Sequence, residues 1–184
     1  GTDVLALDQR ALEKFRRQKL SMVFQSFALL PHRTVIDNVG FGLSIRKITK
    51  DDRYAKAQNW IEKVGLKGYE NQFPAQLSGG QQQRVGLARA LCTNPQILLM
   101  DEAFSALDPL IRSEMQQQLI DLQKDLKKTV VFITHDLEEA LRIGNRIAIL
   151  NDGRISQVGT PKEILENPAD EYVTAFVRDV KRTF

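Results

Sequence analysis

One short apolar run constrains the fold of this chain more than any other feature. Ile97-Leu98-Leu99-Met100 is unbroken by any polar residue and stops at Asp101-Glu102. A strand that is apolar at every position is buried on both faces, as in a parallel sheet covered by helices. A second such run, Val130-Val131-Phe132-Ile133, follows a long amphipathic stretch at residues 110–126. Strand, helix and strand therefore alternate. A chain of 184 residues is long enough to bury a core around such a sheet.

Local signals supply the elements around these strands. Asp8 stands where it caps a helix through Ala11, Leu12, Phe15 and Arg16. Residues 20–24 read as a strand ending at Gln25, followed by a loop with Pro31. Residues 34–45 read as one helix, with Thr34 and Asp37 spaced as a capping box in which Asp replaces Glu. Thr49 and Asp52 repeat that spacing before a helix with Ala57, Trp60, Ile61 and Val64 at helical intervals. Gly65, Gly68, Pro74 and Gly79-Gly80 mark a loop, and residues 81–92 read as the next helix. After the second apolar run, residues 137–143 read as a helix. Residues 147–150 and 155–158 read as a hairpin through Asn151-Asp152-Gly153. Thr160-Pro161-Lys162-Glu163 is a capping box with proline at the first helical position. A last helix carries Tyr172, Val173, Phe176 and Val177. Helices gather between residues 34 and 92, which describes an α/β core with a mostly helical insertion.

Composition excludes several classes. At 42% hydrophobic and 27% charged residues the chain is not disordered, collagen-like or of low complexity. A net charge of +3 is too small to imply a nucleic-acid partner by itself. Cys92 is the one cysteine, so no internal disulfide forms, which fits a reducing compartment. No apolar run approaches the ~18 residues of a membrane span, so a membrane role is expected only through a partner. Gly1-Thr2-Asp3-Val4 has no basic region ahead of an apolar one, so no signal peptide is expected there.

Five motifs carry chemistry. In Leu77-Ser78-Gly79-Gly80-Gln81, Ser78 caps a helix and the two glycines let an anion approach exposed N–H groups. By itself this fits a plain capping box equally well. Asp101 and Glu102, at the end of a buried strand, could hold Mg²⁺ and orient and deprotonate a water; alone, they also fit an acidic strand end capping the next turn. In Ser105-Ala106-Leu107-Asp108-Pro109, Asp108 caps the long helix. His135 follows a strand directly and could bond a phosphate oxygen or a water; it also fits an ordinary polar residue, the only reading given to His32. Gln25 ends a strand, and its amide oxygen could reach Mg²⁺ or water; a solvated loop amide is the simpler reading.

Their order and spacing resemble the ATP-binding subunits of ABC transporters. Leu77 to Gln81 matches the signature LSGGQ, Asp101 and Glu102 the Walker B aspartate and catalytic glutamate. Ser105 to Asp108 matches the D-loop, His135 the switch histidine and Gln25 the Q-loop glutamine. A narrower resemblance, to importers of glycine betaine and proline-type osmolytes, rests on residues 22–32, on Asp136-Leu137-Glu138-Glu139-Ala140 and on Phe176-Val177-Arg178-Asp179-Val180. The resemblance implies a truncated P-loop NTPase (RecA-like) core, residues 1–26 and 96–184, with a mostly helical ABC subdomain and signature helix at 27–95. It implies ATP and Mg²⁺ as ligands, with Gln25 and Asp101 on the metal and Glu102 and His135 catalytic. Ser78, Gly79, Gly80, Gln81 and Asp108 would help bind nucleotide. A second identical subunit and a transmembrane permease would be the partners, without nucleic acid. The chain would then work at the cytoplasmic face of the membrane, held there by the permease.

The family's P-loop, GxxxxGK[ST], is not found, because the 184 residues contain no Gly-Lys dipeptide. Little or no ATPase activity is therefore expected of these residues alone. Uncovered apolar surface is expected beside the two apolar strands, with self-association or limited stability. Residues 27–41 are expected to dock a permease helix, unless Leu29, Leu30, Val35 and Val39 pack the helical insertion instead. Three other readings stand beside the osmolyte importer. They are a non-catalytic dimerising or permease-binding module, an importer ATPase for another small solute, and a soluble ABC protein of DNA repair or translation. The last is opposed by the absence of a long heptad segment.

Overall fold

The computed structural model describes residues 3–181. Gly1-Thr2 of the N-terminal reading, the outer ends of the expected 1–184 domain and the side chains of Asp179 and Val180 lie outside the described residues. The chain divides into two compact units, Gly1–Val131 and Phe132–Phe184.

In the first unit a short 3₁₀ turn (Val4–Ala6) leads to α1 (Gln9–Lys19), whose first turn is capped by the Asp8 carboxylate accepting from the Ala11 N–H at 2.8 Å. β1 (Leu20–Phe24) follows, then α2 (Val35–Val39), α3 (Phe41–Ile45) and α4 (Lys50–Lys63). Next come α5 (Gly79–Cys92), β2 (Ile97–Asp101) and α6 (Pro109–Leu126). β3 (Thr129–Ile133) reaches the division between the units. The sheet order is β1-β2-β3. β1 and β2 are parallel and in register from Leu20 opposite Ile97 to Phe24 opposite Asp101.

The helical region has its own core. Val35, Val39, Leu43, Ala57, Ile61 and Val64 meet Val85, Ala88 and Cys92 of α5, none of them more than 4% exposed. Burying Ile61 fully contributes about 1.5–3 kcal/mol. The single helix expected over residues 34–45 is two: the chain breaks at buried Gly40, where a Cβ would come within 2.9 Å of the Arg53 side chain. The two Thr-x-x-Asp motifs also differ from the full capping box. Each threonine hydroxyl accepts from the N–H three residues on and donates to the aspartate, at 3.1 Å for Asp37 and 2.8 Å for Asp52. Aspartate is one methylene too short to reach back to the threonine N–H.

The second apolar run is a strand, but it is not buried as expected: Val131 is 48% and Ile133 57% exposed. On β2, in contrast, Leu98 and Met100 are 1% exposed. The uncovered apolar surface anticipated from the sequence therefore lies on β3 and at Phe24, while the alternate positions of β2 are covered.

The second unit holds α7 (Leu137–Ile143), the hairpin of β4 (Ile147–Asn151) and β5 (Arg154–Gly159), α8 (Pro161–Glu166) and α9 (Glu171–Lys181). Leu137, Ile147, Ile149, Ile164, Val173 and Val177 form its core. Asp152 and Gly153 both have positive φ, which the tight hairpin turn requires. The Thr160–Glu163 box is complete: Glu163 accepts from the Thr160 N–H at 2.7 Å, and that bond holds its carboxyl below the ordinary range.

Candidate functional site

Parallel pairing sets the site's geometry. Because Phe24 lies opposite Asp101, the residues that follow β1 and β2 leave the sheet at the same edge. Gln25 and Asp101 are both exposed there. Carboxyl ends of parallel strands are where α/β folds place their ligands. A carboxylate and an amide oxygen at one sheet edge suit Mg²⁺, which takes oxygen ligands and keeps waters and phosphate oxygens around it. Among the described residues no group of three or more His, Cys, Asp or Glu side chains could hold a metal ion alone.

The turn after β2 is unusual. Glu102 has φ of 43°, a left-handed conformation that costs a non-glycine residue about 1–3 kcal/mol. Its carbonyl accepts from the Ser105 N–H at 3.1 Å and the Ser105 hydroxyl at 2.9 Å. Gln83 of α5, 0% exposed, donates through Nε2 to the Ala103 carbonyl at 2.5 Å. Arg112 of α6 donates to the carbonyls of Phe104, Ser105 and Leu107 at 3.1–3.2 Å. Side chains from two helices thus grip the backbone that carries Glu102.

The loop after β1 is held in a similar way. Phe27 and Ala28 are both left-handed, with φ of 59° and 47°. Arg89 of α5 donates to their carbonyls at 2.9 and 2.6 Å. Hydrogen bonds from a charged donor are worth about 1.5–3 kcal/mol each, enough to offset the strain of two such residues. Burial pushes the Arg89 pKa down, yet a guanidinium stays charged at neutral pH. Beyond this loop, Asn38 bonds to the N–H and carbonyl of Leu30 and to the carbonyls of Arg33 and Thr34. Val35 and Val39 are wholly buried and Leu29 packs against the same core, so these three residues serve the helical core.

α5 begins at Gly79, two residues earlier than its apolar pattern shows. Ser78 and Gln81 form the complete box: Gln81 N–H donates to the serine hydroxyl at 3.3 Å, and Ser78 N–H to Gln81 Oε1 at 2.9 Å. The Gln81 side-chain oxygen is therefore engaged in the cap. The N–H groups of Gly79 and Gly80 precede the first helical bond, from Gln82 to Ser78. Gly80 has a packing role too, since a Cβ there would come within 2.6 Å of Ile111 Cγ2 on α6. Asp108 caps α6 by accepting from the Ile111 N–H at 3.1 Å, with Pro109 at the first helical position. His135 is exposed, follows β3 and belongs to the second unit.

Register and capping bring Gln25, Asp101 and Glu102 to one sheet edge in the first unit. Gln83, Arg89 and Arg112 were not singled out by the sequence. Each acts on main-chain carbonyls, which leave no residue-type signal at the acceptor. Gln83, one helical turn ahead of Leu87 on α5, was the one visible hint, a polar residue in register with an apolar face.

A family model described as ABC transporter matches residues 3–105. The glycine betaine transport ATP-binding protein OpuAA of Bacillus subtilis (strain 168) is 57% identical over 180 residues, spanning 98% of this chain and 43% of that protein. The glycine betaine/proline betaine transport system ATP-binding protein ProV of Escherichia coli (strain K12) is 56% identical over 180 residues, spanning 98% of this chain and 45% of that protein. The chain thus spans less than half the length of these curated relatives. Among solved structures, the dimeric post-hydrolysis state of the ATP-binding cassette MJ0796 bound to ADP and Pi superposes with a TM-score of 0.72 at 38% identity. That match covers 85% of this chain and 68% of the other, and it bears out the expected α/β, P-loop NTPase type of fold.

Proposed function

This chain belongs to the ABC transporter family, and on that premise we propose that it is part of the ATP-hydrolysing subunit of an importer for glycine betaine-type osmolytes. The observation that carries this is the register of β1 on β2, which brings Gln25 to the edge where Asp101 and Glu102 emerge. The transported solute is inferred from the two betaine-transport relatives.

Asp101 and Gln25 would hold Mg²⁺, which when bound neutralises charge on the phosphates. The Glu102 carboxylate would accept a proton from the attacking water as its oxygen bonds to the γ-phosphorus and the bridging P–O bond breaks. His135 would donate a hydrogen bond to a phosphate oxygen. The N–H groups of Gly79 and Gly80, with Ser78, would bind phosphate of a nucleotide held across a pair of subunits. Asp108 would keep the turn before α6 in place at that interface. A permease would be the membrane partner, holding the subunit at the cytoplasmic face. Residues 27–95 would form the helical subdomain, with the rest as core. These 184 residues alone would turn over little ATP, since they contain no Gly-Lys for a P-loop lysine.

The test uses the intact subunit reconstituted with its permease in liposomes. Glycine betaine is expected to stimulate Mg-ATP hydrolysis. Glu102→Gln is expected to lower kcat about 10²–10⁴-fold, the range for losing a general base. Unchanged turnover in that variant would remove Glu102 from the chemistry. Stimulation only by an unrelated solute would move the assignment to another importer.

A further inference from the structure

We infer that Gln83 and Arg112 are positioning residues for Glu102: they fix the 102–107 turn through its carbonyl oxygens and so aim the Glu102 carboxylate. The inference rests on the hydrolytic role proposed for Glu102. Asp101 is pinned by its pairing with Phe24, but Glu102 lies one residue beyond that ladder and has φ of 43°. A residue in that conformation persists only where its surroundings over-determine it. The peptide after Glu102 is held by Ser105 at the Glu102 carbonyl, and Gln83 fixes the next peptide along through the Ala103 carbonyl, so the turn cannot re-aim Glu102 without breaking one of these bonds. Arg112 spreads over three further carbonyls, which leaves the rest of the turn little room to pivot.

The Gln83 amide is committed to this turn through its bond to Ala103. The side chain is 0% exposed, and its Oε1 has no hydrogen-bond partner among the described residues. An apolar residue of the same shape would avoid that unpaired atom. The amide is oriented by the Ala103 carbonyl, because the flipped amide would set two oxygens against each other. Gln83→Met therefore removes one unpaired oxygen and creates another, with little net change in stability. That separates aim from folding.

The measurement is hydrolysis by the intact subunit with its permease, alongside Mg-ATP affinity by equilibrium titration. Gln83→Met is expected to lower kcat by up to about 100-fold, the scale for misplacing a catalytic group by an ångström, with affinity held within about threefold. Arg112→Lys is expected to lose less than Arg112→Ala, since one ammonium replaces part of the three-carbonyl contact. Combined with Glu102→Gln, Gln83→Met is expected to cause no further loss in single-turnover rate. Wild-type kcat in Gln83→Met and Arg112→Ala would overturn the inference. So would a parallel fall in kcat and affinity, or the same factor lost in the Glu102→Gln background. Absence of turnover in the wild-type protein would instead overturn the hydrolytic reading, and this inference with it.

Discussion

The two loops that leave the sheet edge solve one problem with different chemistry. The loop after β1 carries two left-handed residues, held from α5 by the Arg89 guanidinium at the carbonyls of Phe27 and Ala28, and further on it is held from α2 by Asn38 at Leu30. The turn after β2 carries one left-handed residue and is held from both α5 and α6, by the neutral Gln83 amide and by Arg112. Within that turn the neutral amide takes the carbonyl of wholly buried Ala103, and the Arg112 guanidinium takes those of Phe104, Ser105 and Leu107. The Arg89 grip serves the loop with exposed Ser26 and Ala28. The comparison teaches that the Glu102 turn is held by side chains of two helices, while the left-handed part of the Gln25 loop depends on the single side chain of Arg89.

Three experiments press on this contrast. Arg89→Ala should have the largest effect, since it leaves both left-handed residues without their charged donor. A loss of about 2–3 kcal/mol in urea unfolding is expected. Hydrogen exchange should quicken at residues 26–30 but not at 103–107. Equal quickening in both loops would show that they form one unit. Gly80→Ala should follow, at about 1–3 kcal/mol, because its Cβ would meet Ile111 on α6 at 2.6 Å. By parting α5 from α6 it should loosen the Glu102 turn, held by both helices, more than the Gln25 loop. The reverse pattern would break the comparison. The smallest effect concerns Cys92 at the far end of α5. Burial pushes its thiol up to about 11, so it should react with a disulfide reagent at pH 8 only through unfolding. As an acid raised on folding, it contributes stability that is lost as pH climbs from its ordinary value of 9.0 towards 11. Both variants should leave it equally slow if their effects are local.

Much of this architecture was legible before any coordinates. Caps at Asp8, Ser78, Asp108 and Thr160 signalled helix starts because one side chain answers one N–H at fixed spacing. Ile97 to Met100 announced a covered strand. The break at Gly40 was hidden, since Val35, Val39 and Leu43 keep helical spacing across two short helices. Uncovered surface was expected beside both apolar runs, but which run keeps its cover was hidden: Leu98 and Met100 are buried while Val131 and Ile133 are exposed, and an apolar run says nothing about what covers it. Of the site, the order of Gln25, Asp101 and Glu102 could be read directly. Their supports could not: Gln83, Arg89 and Arg112 bond to carbonyls 20, 62 and 8 residues away, and any residue type can offer a carbonyl.

The left-handed backbone at Glu102 has a bearing on breeding this protein for durability. Glycine or asparagine would occupy that conformation at lower cost than glutamate. A library selected only for surviving heat would therefore drift toward them at position 102, discarding the carboxylate while gaining robustness. Durability and turnover would have to be selected together.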